Sequence, residues 1–145
     1  MVIYRLIYNN VMKNITIASI ESFTGGLFAS TIVSQPGASK YFKGSLVTYW
    51  NEIKELLGVN TSNGVINKET ALEMAKKGKK FFNVDYCISF TGNAGPEPME
   101  NKDVGLFYIA INEKVFEFYF PNLTRNEIRQ KAVDIALNEL KKIIK

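Results

Sequence analysis

Apolar positions along the chain fall into two kinds of run: short blocks apolar on both faces, and longer stretches with helical spacing. ITIASI (15–20) is of the first kind and reads as a buried strand. GGLFASTIVSQ (25–35) is of the second and stops before Pro36-Gly37, so strand, glycine-rich turn and helix make half of a βαβ unit. GSLVTYW (44–50), β-branched and aromatic, predicts a second strand, and NEIKELLG (51–58) a short helix closed by Gly58. Asn67 is placed to cap a helix running to about Phe82, with Leu72, Ala75 and Phe82 among its apolar positions. VDYCISFT (84–91) is another buried strand, and LFYIAIN (106–112) with KVFEFYF (114–120) predicts a hairpin around Asn112-Glu113. Thr124 begins a final amphipathic helix with Ile128, Ala132, Ile135 and Leu140 on one face, and a short helix is predicted over 3–12. There is no repeat, low-complexity stretch or linker. The expected fold is one α/β domain, a three-layer α/β/α sandwich around a mixed sheet.

Composition changes this picture mainly by exclusion. At 145 residues, 46% apolar and 22% charged, the chain has the make-up of one globular domain. No apolar stretch approaches the ~20 residues of a membrane span, and the N-terminal segment lacks a secretory pattern, so no membrane contact and a cytoplasmic location are expected. The net charge of +4 comes from lysines, many of them at 76–80 and 141–145. Both clusters lie on amphipathic helical patterns with glutamates among them, which favours solvated helix faces over a nucleic-acid footprint. Cys87, the single cysteine, sits in an apolar run and reads as a small core residue. The chain has no histidine. That removes every Ser-His and Cys-His mechanism, and with one cysteine no structural zinc site is expected.

Three loops carry unusual residues: ESFTGG (21–26), TYWNEIK (48–54) and TGNAGPEPMENKDVG (91–105). Each follows a predicted strand, and open α/β sheets bind ligands at strand carboxyl ends. Ser22 stands as a nucleophile would, and without histidine its base would be a lysine whose ammonium form is disfavoured by burial. Lys54, with Tyr49, Trp50 and Ile53 close in sequence, is one candidate. Its alternative is a surface lysine on a short helix. Lys102 is a second candidate, but it lies in a polar loop. Gly25 and Gly26 either expose amides to an oxyanion or phosphate, or serve a tight turn. Glu21 and Thr24 either orient Ser22 and contact substrate, or pair with a lysine and cap the helix. Arg125 and Arg129 form either a surface face or a fork for an anionic group.

Several motifs, taken in order, resemble the CinA C-terminal domain family. They are I-E-S-F-T-G-G at 20–26, G-A-S at 37–39, V-T-Y-W-N-E-I-K at 47–54, G-V-I-N at 64–67, T-G-N-A-G-P at 91–96 and K-D-V-G at 102–105. The resemblance implies a similar three-layer fold. It also implies hydrolysis of the carboxamide of nicotinamide mononucleotide by a Ser/Lys mechanism without metal or cofactor. By motif position the serine is Ser22 and the lysine Lys54, with Tyr49 beside them. The candidate substrate contacts are Glu21, Thr24, Gly25, Gly26, Thr91, Gly92 and Gly95, with Arg125 and Arg129, outside these motifs, for an anionic group of the substrate.

Some positions depart from the family pattern. Phe23 stands for a Cys, Trp50 for a Ser and Asn93 for an aliphatic residue; Pro98 and Met99 lie where Gly-Gly is usual, and Asp103 where Pro is. A nucleotide-binding or partner-binding protein of the same fold, without the reaction, is therefore the rival reading. The strand pair at 106–120 is apolar on both faces, and this, with the habit of the resembled family, predicts a homodimer.

Overall fold

The computed structural model describes residues 14–144, and the helix expected over 3–12 lies outside them. The strands are β1 (Ile17–Glu21), β2 (Phe42–Val47), β3 (Tyr86–Gly92), β4 (Leu106–Ile111) and β5 (Lys114–Tyr119). They form one mixed sheet in the order β2-β1-β3-β4-β5. β1 runs parallel to both β2 and β3, and β3, β4 and β5 alternate in direction. The helices are α1 (Leu27–Val33), α2 (Asn51–Leu56), α3 (Lys68–Phe82) and α4 (Arg125–Ile144).

Because successive strand residues point to opposite faces, each buried strand feeds two cores. Ile17, Ile88, Phe90, Phe107 and Ile109 pack on one face with Phe28 and Ile32 of α1 and Ile128, Ala132, Val133 and Ala136 of α4. On the other face, Ala18, Ile20 and Cys87 meet Met74, and Tyr108 and Ala110 meet Ala71 and Ala75, all from α3. The result is the three-layer sandwich. Gly78 lies where α3 comes closest to the sheet: a Cβ there would stand 2.4 Å from Ile20 Cγ1 and 2.6 Å from Cys87 Sγ. The KKGKK run is thus solvated on its lysine side and packed at its glycine.

Local signals fix the helix ends. The Asn67 side chain accepts a hydrogen bond from the Thr70 amide at 2.8 Å. Thr124 and Glu127 form a capping box, the Thr124 amide donating to Glu127 Oε1 at 2.9 Å and the Glu127 amide to Thr124 Oγ1 at 3.3 Å.

Three expectations are corrected. β2 spans Phe42–Val47 rather than 44–50, because after a last ladder bond at Thr48 the chain turns away and exposes Tyr49 and Trp50. Ile135 is only part-buried, and Val133, Ala136 and Leu137 complete the stripe of α4 instead. In the hairpin, Phe116, Phe118 and Phe120 stack in a row against Phe107 and are part-buried, which leaves Tyr119 as its exposed large apolar residue. The exposed apolar side chains gather instead near β2, at Val47, Ile53, Leu56 and Phe81. Among the described residues, no helix is long and apolar enough to cross a membrane.

Candidate active site

Ser22 follows the last residue of β1, and the ladder continues one step past β2 through the Thr48 amide, which donates to the Glu21 carbonyl at 2.7 Å. The chain then turns into α2, which carries Lys54 back to the same strand ends. Lys54 is 1% exposed. Its Nζ lies 2.9 Å from Ser22 Oγ, 2.6 Å from the Thr48 carbonyl oxygen and 3.2 Å from that of Tyr49. An ammonium has three N–H donors and would satisfy all three acceptors. A neutral amine has two and can keep both carbonyls, which turns its lone pair to the Ser22 hydroxyl. Burial pushes the Lys54 ammonium down from 10.5 to about 8, while the negative charge of Glu100 acts in the opposite direction. Both forms of the amine are therefore accessible near neutrality, so the pair is able to pass a proton between Oγ and Nζ.

The Glu21 carboxylate is fully buried and turned away from this pair. It accepts from Thr24 Oγ1 at 2.7 Å and from the amides of Gly26, Phe28 and Ala29 at 3.0, 3.1 and 3.0 Å. Ser19 and Ser45 hydroxyls donate to its other side at 3.2 Å each. The open amides of a helix start are thus satisfied from within. The Gly25 amide donates to the Ser22 carbonyl at 3.0 Å. Among the described residues, the amides of Phe23 and Thr24 carry no partner. Arg129 braces the same turn from α4, donating to the carbonyls of Phe23 and Thr24 at 3.1 and 2.9 Å.

In front of the pair opens a cleft of about 460 Å³. Ser22, Lys54, Tyr49 and Trp50 form one side, and Thr91 to Glu97 with Met99 and Arg125 form the other. The Arg125 guanidinium donates to the Gly95 carbonyl and, at 3.1 Å, to Tyr49 Oη, tying the two sides together. Thr91 donates to the Val65 carbonyl at 2.6 Å. Trp50 is 66% exposed at the cleft edge. Phe23 reaches the cleft but belongs to the core, its ring 5.6 Å from that of Phe107.

Of the residues expected at the site, the structure brings Ser22, Lys54, Tyr49, Thr91, Gly92, Gly95 and Arg125 together on the cleft. Glu21, Thr24, Gly25, Gly26 and Arg129 are not among its lining residues. Their polar groups are engaged in building the Ser22 turn; of the amide donors expected near Thr24–Gly26, those of Gly25 and Gly26 are taken, while that of Thr24, with its neighbour at Phe23, is free among the described residues. Lys102 does not line the cleft. Sequence reasoning missed the Thr48 carbonyl, which carries no side-chain signal, and gave no role to Glu97 on the cleft or to Glu100 beside it.

The model of the CinA C-terminal domain matches residues 4–144. The chain belongs to this family. A CinA-like protein of Endomicrobium trichonymphae is 44% identical over 137 residues, covering 88% of this chain and 32% of its own. A Mycoplasma pneumoniae protein is 37% identical over 150 residues, covering 97% of this chain and 96% of its own. Most of the curated CinA relatives it matches are longer, and the chain spans about a third of their length. The crystal structure of a competence/damage inducible protein from Agrobacterium tumefaciens superposes with a TM-score of 0.92 at 30% identity, covering 99% of this chain and 94% of that one.

Proposed function

We propose that this CinA-family domain is an amidohydrolase that converts nicotinamide mononucleotide to nicotinate mononucleotide and ammonia. The observation that carries the reading is the buried contact of Lys54 Nζ with Ser22 Oγ at 2.9 Å. Neutral Lys54 takes the hydroxyl proton as Oγ bonds to the carboxamide carbon. The free amides of Phe23 and Thr24 receive the oxyanion, a kind of contact whose loss costs about 3 kcal/mol in other hydrolases. Protonated Lys54 then gives its proton to the leaving nitrogen, and the C–N bond breaks to release ammonia. Water enters, Lys54 removes its proton, and attack on the acyl carbon frees the acid and restores Ser22.

The cleft volume of about 460 Å³ falls within the ~300–1,000 Å³ usual for small-molecule sites. Arg125 has further N–H donors for a phosphate, and the exposed rings of Tyr49 and Trp50 offer flat surfaces to the pyridine. Ammonia release from nicotinamide mononucleotide is the direct test. Release lost in Ser22→Ala and Lys54→Ala is the expected result, and no ammonia from wild type at high enzyme concentration refutes the reading. One feature favours the rival, a nucleotide-binding protein without turnover: Glu97 puts a carboxylate on the wall an anionic substrate would approach. Saturable binding of the same nucleotide without ammonia would select it.

A further inference from the structure

The 97–103 loop closes one wall of the cleft with a turn that its own sequence does not favour. Lys102 donates its amide to the Met99 carbonyl at 2.8 Å, and the two residues between, Glu100 and Asn101, have φ of 54° and 58°. Two successive positive φ angles are those of a primed turn, where Gly and Asn are preferred and Glu is not. Such a conformation persists where its surroundings hold it. Here the holding group is the Glu100 carboxylate. Its Oε1 accepts from the Val65 and Ile66 amides at 3.1 Å each, and its Oε2 from the Val65 amide at 2.9 Å. It rests against Gly64, where a Cβ would stand 2.6 Å from Oε1. The carboxylate and its glycine hollow fit each other across about 35 residues of chain, and Val65 and Met99 on either side of the contact both line the cleft beside Lys54.

We propose that Glu100 is a positioning residue of the Ser22–Lys54 site: its carboxylate clasps the 97–103 loop to the Val65–Ile66 turn and so holds Val65 and Met99 in place on the cleft. The inference rests on Lys54 serving as the base. Other ionisable groups around the cleft are Glu97, Tyr49 and Arg125, with Arg125 bonded to Tyr49 and Gly95. Glu52 and Glu55 are exposed on Lys54's own helix, and Glu21 is turned to the α1 amides. The negative charge of Glu100 also opposes the burial that lowers the Lys54 ammonium.

The test compares wild type, Glu100→Gln and Glu100→Ala. Gln keeps an oxygen for the two amides and removes the charge; Ala removes both. The Lys54 titration is read by the NMR shift of its Cε carbon, assigned from the signal missing in Lys54→Arg. This needs no turnover, so it reports on Glu100 even where ammonia release, and with it the amidase reading, fails. The midpoint is expected to fall by roughly half a pH unit in both variants. The dissociation constant of nicotinamide mononucleotide, by calorimetry, is expected to rise about tenfold in Glu100→Ala and to stay near wild type in Glu100→Gln. An unmoved Lys54 midpoint in Glu100→Gln overturns the electrostatic role, and unchanged nucleotide affinity in Glu100→Ala overturns the clasp.

Discussion

At the scale of single residues, the site depends on which proton state of Lys54 is present. The neutral base increases as pH rises through its value of about 8, so kcat/KM for amide hydrolysis should climb through that pH and level off above it. Lys54→Arg keeps a positive charge but cannot release a proton in this range, so it should lose roughly 10²–10⁴ of the rate, as much as Lys54→Ala. Steady-state ammonia assays across pH 6 to 10 check both; an arginine variant with near wild-type rate would remove Lys54 from its role. Ser22 and Lys54 were legible in the sequence because a chain without histidine leaves few bases for a serine, and because the motifs line up. Glu21 and Arg129 were legible as polar residues of the right kind but not as to use. Whether a carboxylate faces a cleft or a helix start depends on the turn of Thr24–Gly26, and no spacing rule encodes that.

At the scale of elements, the reading of five strands and the amphipathic helices within the described residues followed from period alone, with boundary errors where tertiary contacts took over. Tyr49 and Trp50 have the chemistry of strand residues, yet they lie past the end of β2 because the Thr48 carbonyl is needed by Lys54. The middle of α3 shows the same limit. A glycine inside a lysine-rich helix looks like a weak point, and Ala there would gain about 1 kcal/mol of helix propensity. Contact with Ile20 and Cys87 reverses the sign: Gly78→Ala should destabilise the fold by about 1–3 kcal/mol through overpacking. Urea unfolding gives the answer directly, and a variant more stable than wild type would contradict the close approach of α3 to the sheet.

At the scale of the whole molecule, self-association is expected at the β2 edge rather than at the hairpin. Leu56 is 80% exposed there, among Val47, Ile53 and Phe81, beside a strand that has an unpaired side among the described residues. Light scattering at micromolar concentration should give a dimer mass for wild type and a monomer mass for Leu56→Glu; a monomeric wild type would end this expectation. The hairpin offers less exposed apolar surface than its sequence suggests, because its phenylalanines stack on one another and on Phe107. The ladder bond between Thr48 and Glu21 has one further consequence. Ser22 directly follows β1, and Lys54, on the helix after β2, is bonded back to the carbonyl of Thr48 at the end of that neighbouring strand, so the gap between nucleophile and base is tied to an interstrand spacing. Heating should therefore leave the reactive pair intact until the sheet itself parts, and thermal inactivation should coincide with loss of the far-UV circular dichroism signal instead of preceding it.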